Sequence, residues 1–227
     1  MTVRKDGEET RKKILEAACR VFAEKGYEQA THSEICEQAG ANVASINYHF
    51  GSKDELYRAV WRHVFDVVDA KHPLDGGVAE DVDPEERLRG FVQAMINRVT
   101  DESMGPWHEM HMGEFFRPTG LVGDLLKERL EGYRKLTLGI MRGLLGEGAE
   151  ERDMELCEMS VVSQCRMVRS ARRRRFPPSP WKFGAEDVER LVEHICEFSL
   201  AGIAARRGAG AGSPSTAAAG AAAATGP

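Results

Sequence analysis

Asn42, Ser45, Asn47, Tyr48 and His49 bring two amides, two hydroxyls and an imidazole into a stretch whose other members are only small or apolar, Val43, Ala44, Ile46 and Phe50. Groups of this kind hydrogen-bond phosphate oxygens and base edges, and small neighbours let the backbone come close. A second set, His108, His111 and Glu114, stands at i, i+3 and i+6 and raises the question of a metal. The run H-E-M-H is not H-E-x-x-H, however, and helix-borne histidine ligands more often stand at i, i+4, so pocket lining or internally satisfied histidines are favoured. Arg166, Arg169 and Arg172 to Arg175 form the densest basic run. It suits a solvated helix end, with an anionic ligand or a phosphate as the alternative. No nucleophile elbow, P-loop or G-x-G-x-x-G occurs, so a cofactor is not expected.

The groups at 42 to 49 need a short rigid rod, and the sequence supplies one. Thr31-x-x-Glu34 is a capping box that opens a helix with Ile35 and Ala39 inward and Gly40 as its stop. After a turn of Gly40, Ala41 and Asn42, Asn42 caps a second helix, Val43 to Phe50. Val43, Ile46 and Phe50 are expected on its inner face, Ala44, Ser45, Tyr48 and His49 opposite, and Asn47 at the edge. Eight residues make a rod about 12 Å long, matched to a major groove roughly 12 Å wide. Two short helices on a Gly-bearing turn are the helix-turn-helix arrangement, with both positive helix ends available to phosphates. A helix over 10 to 25 with Ile14, Ala18, Val21 and Phe22 inward, stopped by Gly26, backs the pair. Ser52-x-x-Glu55 starts a fourth helix, with Leu56, Tyr57, Val60, Trp61, Val64 and Phe65 inward, that runs to His72-Pro73.

Beyond this the apolar pattern keeps the helical period, so the 227-residue chain is expected to be all-α: a helix-turn-helix DNA-binding domain over 1–71, a helical ligand-binding and dimerisation domain over 84–207, and a disordered low-complexity tail over 208–227. Asp83, Pro84 and Glu86 open the fifth helix; later helices are expected near 106–116, 119–145, 151–174 and 185–206, the last two separated by the Phe176 to Pro180 break. Five scattered cysteines without C-x-x-C make neither a disulfide framework nor a thiolate metal site. With no apolar run of membrane length and no apolar leader, a cytoplasmic location is expected. The net charge of -5 argues against coating nucleic acid non-specifically; Arg4, Lys5, Arg11, Lys12, Lys13 and Lys53 nevertheless flank the proposed face.

Residues 10 to 65, above all AGANVASINYHFGSKDELYRAV, resemble the DNA-binding domain of the TetR family of transcriptional repressors, whose usual run ends in Tyr-x-His-Phe or Tyr-Tyr-His-Phe followed by Gly-Ser-Lys and is matched at Tyr48, His49, Phe50, Gly51, Ser52 and Lys53. The resemblance implies that Thr31, Tyr48, His49 and Lys53 hold phosphates while Asn42, Val43, Ala44, Ser45 and Asn47 face base edges. Most members carry Tyr or Trp where this chain has Asn47, an amide that pairs well with adenine. GEFFRPTG and the following long helix ending Leu-Leu-Gly, with Leu156-Cys157 and Ser163-Gln164-Cys165, resemble the C-terminal domain of the CecR branch. That implies a homodimer on double-stranded operator DNA, released by a small-molecule effector.

Helices five to eight are expected to enclose a mostly apolar cavity lined by Met95, Trp107, His111, Phe115, Tyr133, Gln164 and Arg169, suited to an uncharged or anionic aromatic compound. Gln164, among Cys157, Val161, Cys165 and Val168, either bridges helices or touches ligand. The stripes Cys157, Val161, Cys165, Val168 and Val188, Leu191, Val192, Ile195, Phe198 are expected to pair across a dimer, Ser160, Ser163, Ala201 and Gly202 allowing close approach. The rival expectation is a small all-α enzyme or metal-binding bundle centred on His108, His111 and Glu114.

Overall fold

A computed structural model describes residues 2–172, 183 and 185–210, and these are helical with no strand among them. α1 (Thr2–Gln29) begins upstream of the expected residue 10 and buries Ile14, Leu15, Ala17, Ala18, Val21 and Phe22. Its helical backbone breaks at Gly26, with φ 77 and ψ 170. α2 (His32–Ala39) opens on a complete capping box, the Glu34 carboxylate accepting from Thr31 N at 3.1 Å, and ends on left-handed Gly40. α3 (Val43–Phe50) starts on Asn42, whose Oδ1 accepts from Ala44 N at 3.0 Å.

Ile46 and Phe50 are buried as the spacing predicts, but Val43 is 43% exposed. It stands at the open end of an eight-residue helix, whose core contacts are made one and two turns further in. Gly51, at φ 77 and ψ -53, turns the chain into α4 (Lys53–Lys71), where Ser52 Oγ accepts from Glu55 N at 3.1 Å. Trp61 is fully buried in α4; burying an aromatic of this size stabilises by about 1.5–3 kcal/mol.

The segment after α4 lies flat on α5 (Pro84–Thr100). A Cβ on Gly76 would meet Gly90 O at 2.4 Å, and one on Gly90 would meet Val78 Cγ2 at 2.7 Å, so the approach requires both glycines. Asp83 caps α5 by accepting from Glu85 N at 2.8 Å, one residue short of the expected bond at Glu86. A 3-10 turn over Glu102–Met104 leads into α6 (Gly105–Phe116). α7 (Gly123–Leu145) starts at 123 rather than 119, because Thr119 N and Oγ1 both donate to Glu114 and Leu121 N donates to Thr119 Oγ1 at 3.2 Å. α8 (Glu151–Arg172) and, after a 3-10 turn, α9 (Val188–Gly210) follow. The Phe176 to Pro180 break, Arg173 to Arg175 and tail residues 211–227 lie outside the described residues.

Two cores result. One joins α1 to α4 with Met104, Met110 and Val122; the other joins α5, α7, α8 and α9. α6 packs on α1 and so belongs to the first core, which corrects the expectation that helices five to eight share one cavity. No helix among the described residues is long and apolar enough to cross a membrane.

Candidate nucleic-acid interface

α3 presents the groups that the sequence singled out. Asn42, Val43, Ala44, Asn47 and Tyr48 are exposed, Tyr48 to 84%, while Ser45 and His49 are half-buried. The Tyr48 and His49 rings lie 4.9 Å apart, nearly perpendicular. Ile46 and Phe50 anchor the inner face, and the Arg11 guanidinium lies over the Phe50 ring at 5.1 Å, which holds one flanking cation of α1 beside α3. Lys12 and Lys13 pair with Glu16 and Glu9 along α1, and such exposed pairs are worth little.

Thr31 is exposed, but its hydroxyl and amide serve the capping box. Lys53 is half-buried: its ammonium donates to Glu28 O at 3.2 Å and lies over the Tyr27 ring at 4.6 Å. Tyr27 in turn bonds Asp54, and Lys25 pairs with Glu34. Lys53 therefore ties the start of α4 to the end of α1 as well as carrying charge. Sequence reasoning missed this role of Tyr27, because a lone aromatic after a helix-stopping glycine carries no periodic signal.

The residues expected to line an effector cavity are not brought together. Met95 is buried in the second core. Trp107 and His111 turn toward the first, the His111 ring 5.8 Å from Trp107 and 6.3 Å from Trp61, because α6 packs on α1. Phe115 is exposed beside Phe116. Gln164 donates to Ser199 Oγ at 3.2 Å and to Ser160 O at 3.1 Å, the bridge between helices rather than an open amide. The Arg169 side chain lies outside the described residues. Tyr133 alone of the seven borders a groove of about 770 Å³ between α4 and α7, walled by Phe65, Asp69, Leu74, Leu125 and Arg129.

One signal in the sequence pointed to that groove. Arg98 continues the apolar stripe of α5, and a guanidinium there demands a carboxylate. Arg98 is only 6% exposed; it donates to Asp69 at 2.7 Å and to His72 O at 2.7 Å, and Arg129 pairs with the same Asp69. Burial works against ionising Asp69, but the two guanidiniums outweigh it and hold the carboxyl below its usual range.

His108, His111 and Glu114 likewise face different partners. His108 Nε2 lies 2.9 Å from Arg98 O, and the buried Glu114 accepts from Tyr57 and Thr119. Among the described residues no three His, Cys, Asp or Glu are placed to share a metal ion. All five cysteines are free, and burial pushes the Cys165 thiol up to about 12, so it stays protonated and unreactive.

Of the stripes expected to await a partner, Cys157, Val161, Cys165, Val168, Val192 and Ile195 are buried in the chain's own core and Val188 and Leu191 pack against it, which leaves Phe198 exposed. The face around Phe198 remains open, with Met159, Ser163 and Met167 on α8 and Ala201 and Gly202 on α9, Phe198 being 65% exposed.

Comparison with known proteins agrees with both halves. Residues 84–203 match the family described as HTH-type transcriptional dual regulator CecR, C-terminal domain, and residues 14–60 match the bacterial regulatory proteins of the tetR family. The transcriptional regulator SrpR of Pseudomonas putida is 24% identical over 151 residues, 66% of this chain and 68% of that one. The dual regulator CecR of Shigella flexneri is 43% identical over 68 residues, 30% of this chain and 29% of its own. Among solved structures, AibR in complex with isovaleryl coenzyme A and operator DNA superposes with a TM-score of 0.60 at 18% identity, covering 83% of this chain and 97% of AibR. The relatives are transcriptional regulators, and none of these descriptions is of an enzyme. The chain therefore belongs to the TetR family of bacterial regulatory proteins and carries the C-terminal domain of its CecR-type members.

Proposed function

We propose that the chain is a cytoplasmic, ligand-responsive transcriptional repressor that binds a palindromic operator as a homodimer and leaves it when a small molecule binds. The observation that carries the reading is α3: a capped eight-residue rod, anchored by Ile46 and Phe50, whose outer side chains are unburied polar groups. In this reading Asn42, Val43, Ala44, Ser45 and Asn47 read base edges, and Thr31, Tyr48, His49 and Lys53 hold phosphates. Residues 1–71 form the DNA-binding unit and residues 84–207 the ligand-binding and dimerisation unit. The open face of α8 and α9 pairs two copies, which sets two α3 helices about one DNA turn, ~34–36 Å, apart.

Selection of duplexes from a random library tests this. The expected result is an inverted repeat with that spacing, and a single half-site or no enrichment contradicts it. Placed before a reporter in the native host, the selected site is repressed while the chain is present and derepressed on its deletion; falling expression on deletion contradicts repression.

A further inference from the structure

The groove between α4 and α7 has a floor whose charges do not balance. Asp69 faces two guanidiniums, Arg98 and Arg129, so the triad carries one cation in excess. The two cations differ in freedom. Arg98 is enclosed and bound to both Asp69 and His72 O, and burial pulls its pKa down even against the pull of Asp69. Arg129 borders the groove, half-buried, with its guanidinium 4.9 Å above the Phe65 ring. Beside it run Leu74, Leu125 and Leu136.

We propose that this groove is the effector site and that it takes a monocarboxylate with an apolar body, its carboxylate replacing Asp69 on Arg129 while the body lies along Phe65, Leu74, Leu125 and Leu136. The inference rests on the reading of the chain as a ligand-responsive regulator and names its ligand class. The exchange closes the charge count: Asp69 keeps Arg98, the ligand takes Arg129, and each carboxylate has one guanidinium as its charge-assisted donor. An organic cation would instead add a third positive group to the floor.

The rim carries Arg62, Asp66, Asp75 and Glu128. All four are exposed, and Asp75 already accepts from Gly77 N at 2.8 Å, so water and salt screen them. The one guanidinium that the exchange releases, Arg129, matches a single anionic group on the ligand. The exchange also has a mechanical result. It unties α7 from Asp69 near the end of α4, the helix that begins at Lys53 beside α3, and so gives the ligand different contacts in the two placements of α4 that a switch requires.

Calorimetric titration of the full chain with decanoate, decanol and decyltrimethylammonium, each below its micellar concentration, tests the proposal without DNA. Decanoate should bind roughly ten- to a hundredfold more tightly than decanol, the worth of a charge-assisted bond. Arg129→Gln should abolish that preference and Arg129→Lys restore part of it. Asp69→Asn should strengthen decanoate binding, because Arg129 then has no carboxylate to leave; a merely structural role for the pair predicts loss instead. Equal binding of decanoate and decanol to the wild-type chain, or tighter binding of the ammonium compound, overturns the proposal. Duplex selection is run on the same preparation. Selected DNA with no carboxylate preference removes this site and leaves the regulator reading; no selected DNA removes that reading and leaves the binding result intact.

Discussion

Tyr57 of α4 donates its hydroxyl to Glu114 of α6 at 2.9 Å, inside the first core. The Tyr57 ring meets Phe22 edge-on at 4.9 Å and Tyr27 at 5.0 Å, and Tyr27 lies under Lys53. A packed path thus leads from α6 to the start of α4 and to the residue next to the α3 turn. Burial raises the Tyr57 pKa, so the phenol remains a donor across the physiological range.

Tyr57→Phe removes one donor and leaves the buried Glu114 with Thr119 N and Oγ1 alone. The expected cost is about 1–3 kcal/mol, which lowers Tm by roughly 2–4 °C per kcal/mol in a chain of this size. Thermal melts of the two proteins check it, and an unchanged Tm contradicts the contact.

Gly51→Ala forces a side chain to φ 77 in the two-residue joint between α3 and α4. Space is not the difficulty, since nothing lies within 4 Å of the added Cβ. Backbone strain of about 1–3 kcal/mol is expected. Urea titration should show a lower midpoint with an unchanged slope, accompanied by weaker DNA binding.

These two sites divide what the sequence made legible. α2 to α4 were readable almost to the residue because caps and left-handed glycines are local codes: Thr31, Gly40, Asn42 and Ser52 each satisfy or terminate backbone groups within four residues. The placement of α6 was not readable. Its apolar residues run nearly all round, so periodicity gives no facing direction, and the bond from Tyr57 to Glu114 spans 57 positions. For the same reason the expected cavity dispersed, with Trp107 and His111 turning to one core and Met95 to the other.

Asp101 ties the end of α4 to α5 through Lys71 at 2.7 Å and His72 at 2.8 Å. Burial opposes its ionisation, but hydrogen bonds from Lys71, His72 and Ser103 prevail and hold its carboxyl well below the usual range. A depressed carboxyl contributes stability that is fully present above its unfolded pKa of about 4 and is lost as pH falls toward the folded value. Melts of the wild-type chain should therefore weaken below pH ~4. Asp101→Asn should be less stable at pH 7 and show a flatter acid limb; parallel curves for the two proteins contradict the tie.

Phe198→Glu should separate the dimer without disturbing the fold, since Phe198 is exposed on α9. Leu191→Glu is the poorer probe, because Leu191 packs against the chain's own second core. Sedimentation should show wild-type dimer and variant monomer of equal helix content; a wild-type monomer at micromolar concentration contradicts the assembly.

The central claim is that the outer face of α3 reads the operator, and comparing Asn47→Ala with Tyr48→Phe on the selected duplex and its single-base variants tests it most directly. Both side chains are exposed, so neither change should disturb the fold, whereas Lys53→Ala would also release Glu28 and Tyr27. Asn47→Ala should erase discrimination at one base pair of each half-site, worth about 1–3 kcal/mol, and leave the other positions as they were. Tyr48→Phe should weaken every duplex by one common factor, roughly three- to tenfold. Identical profiles for the two variants, or wild-type profiles for both, would show that α3 does not read the DNA through this face.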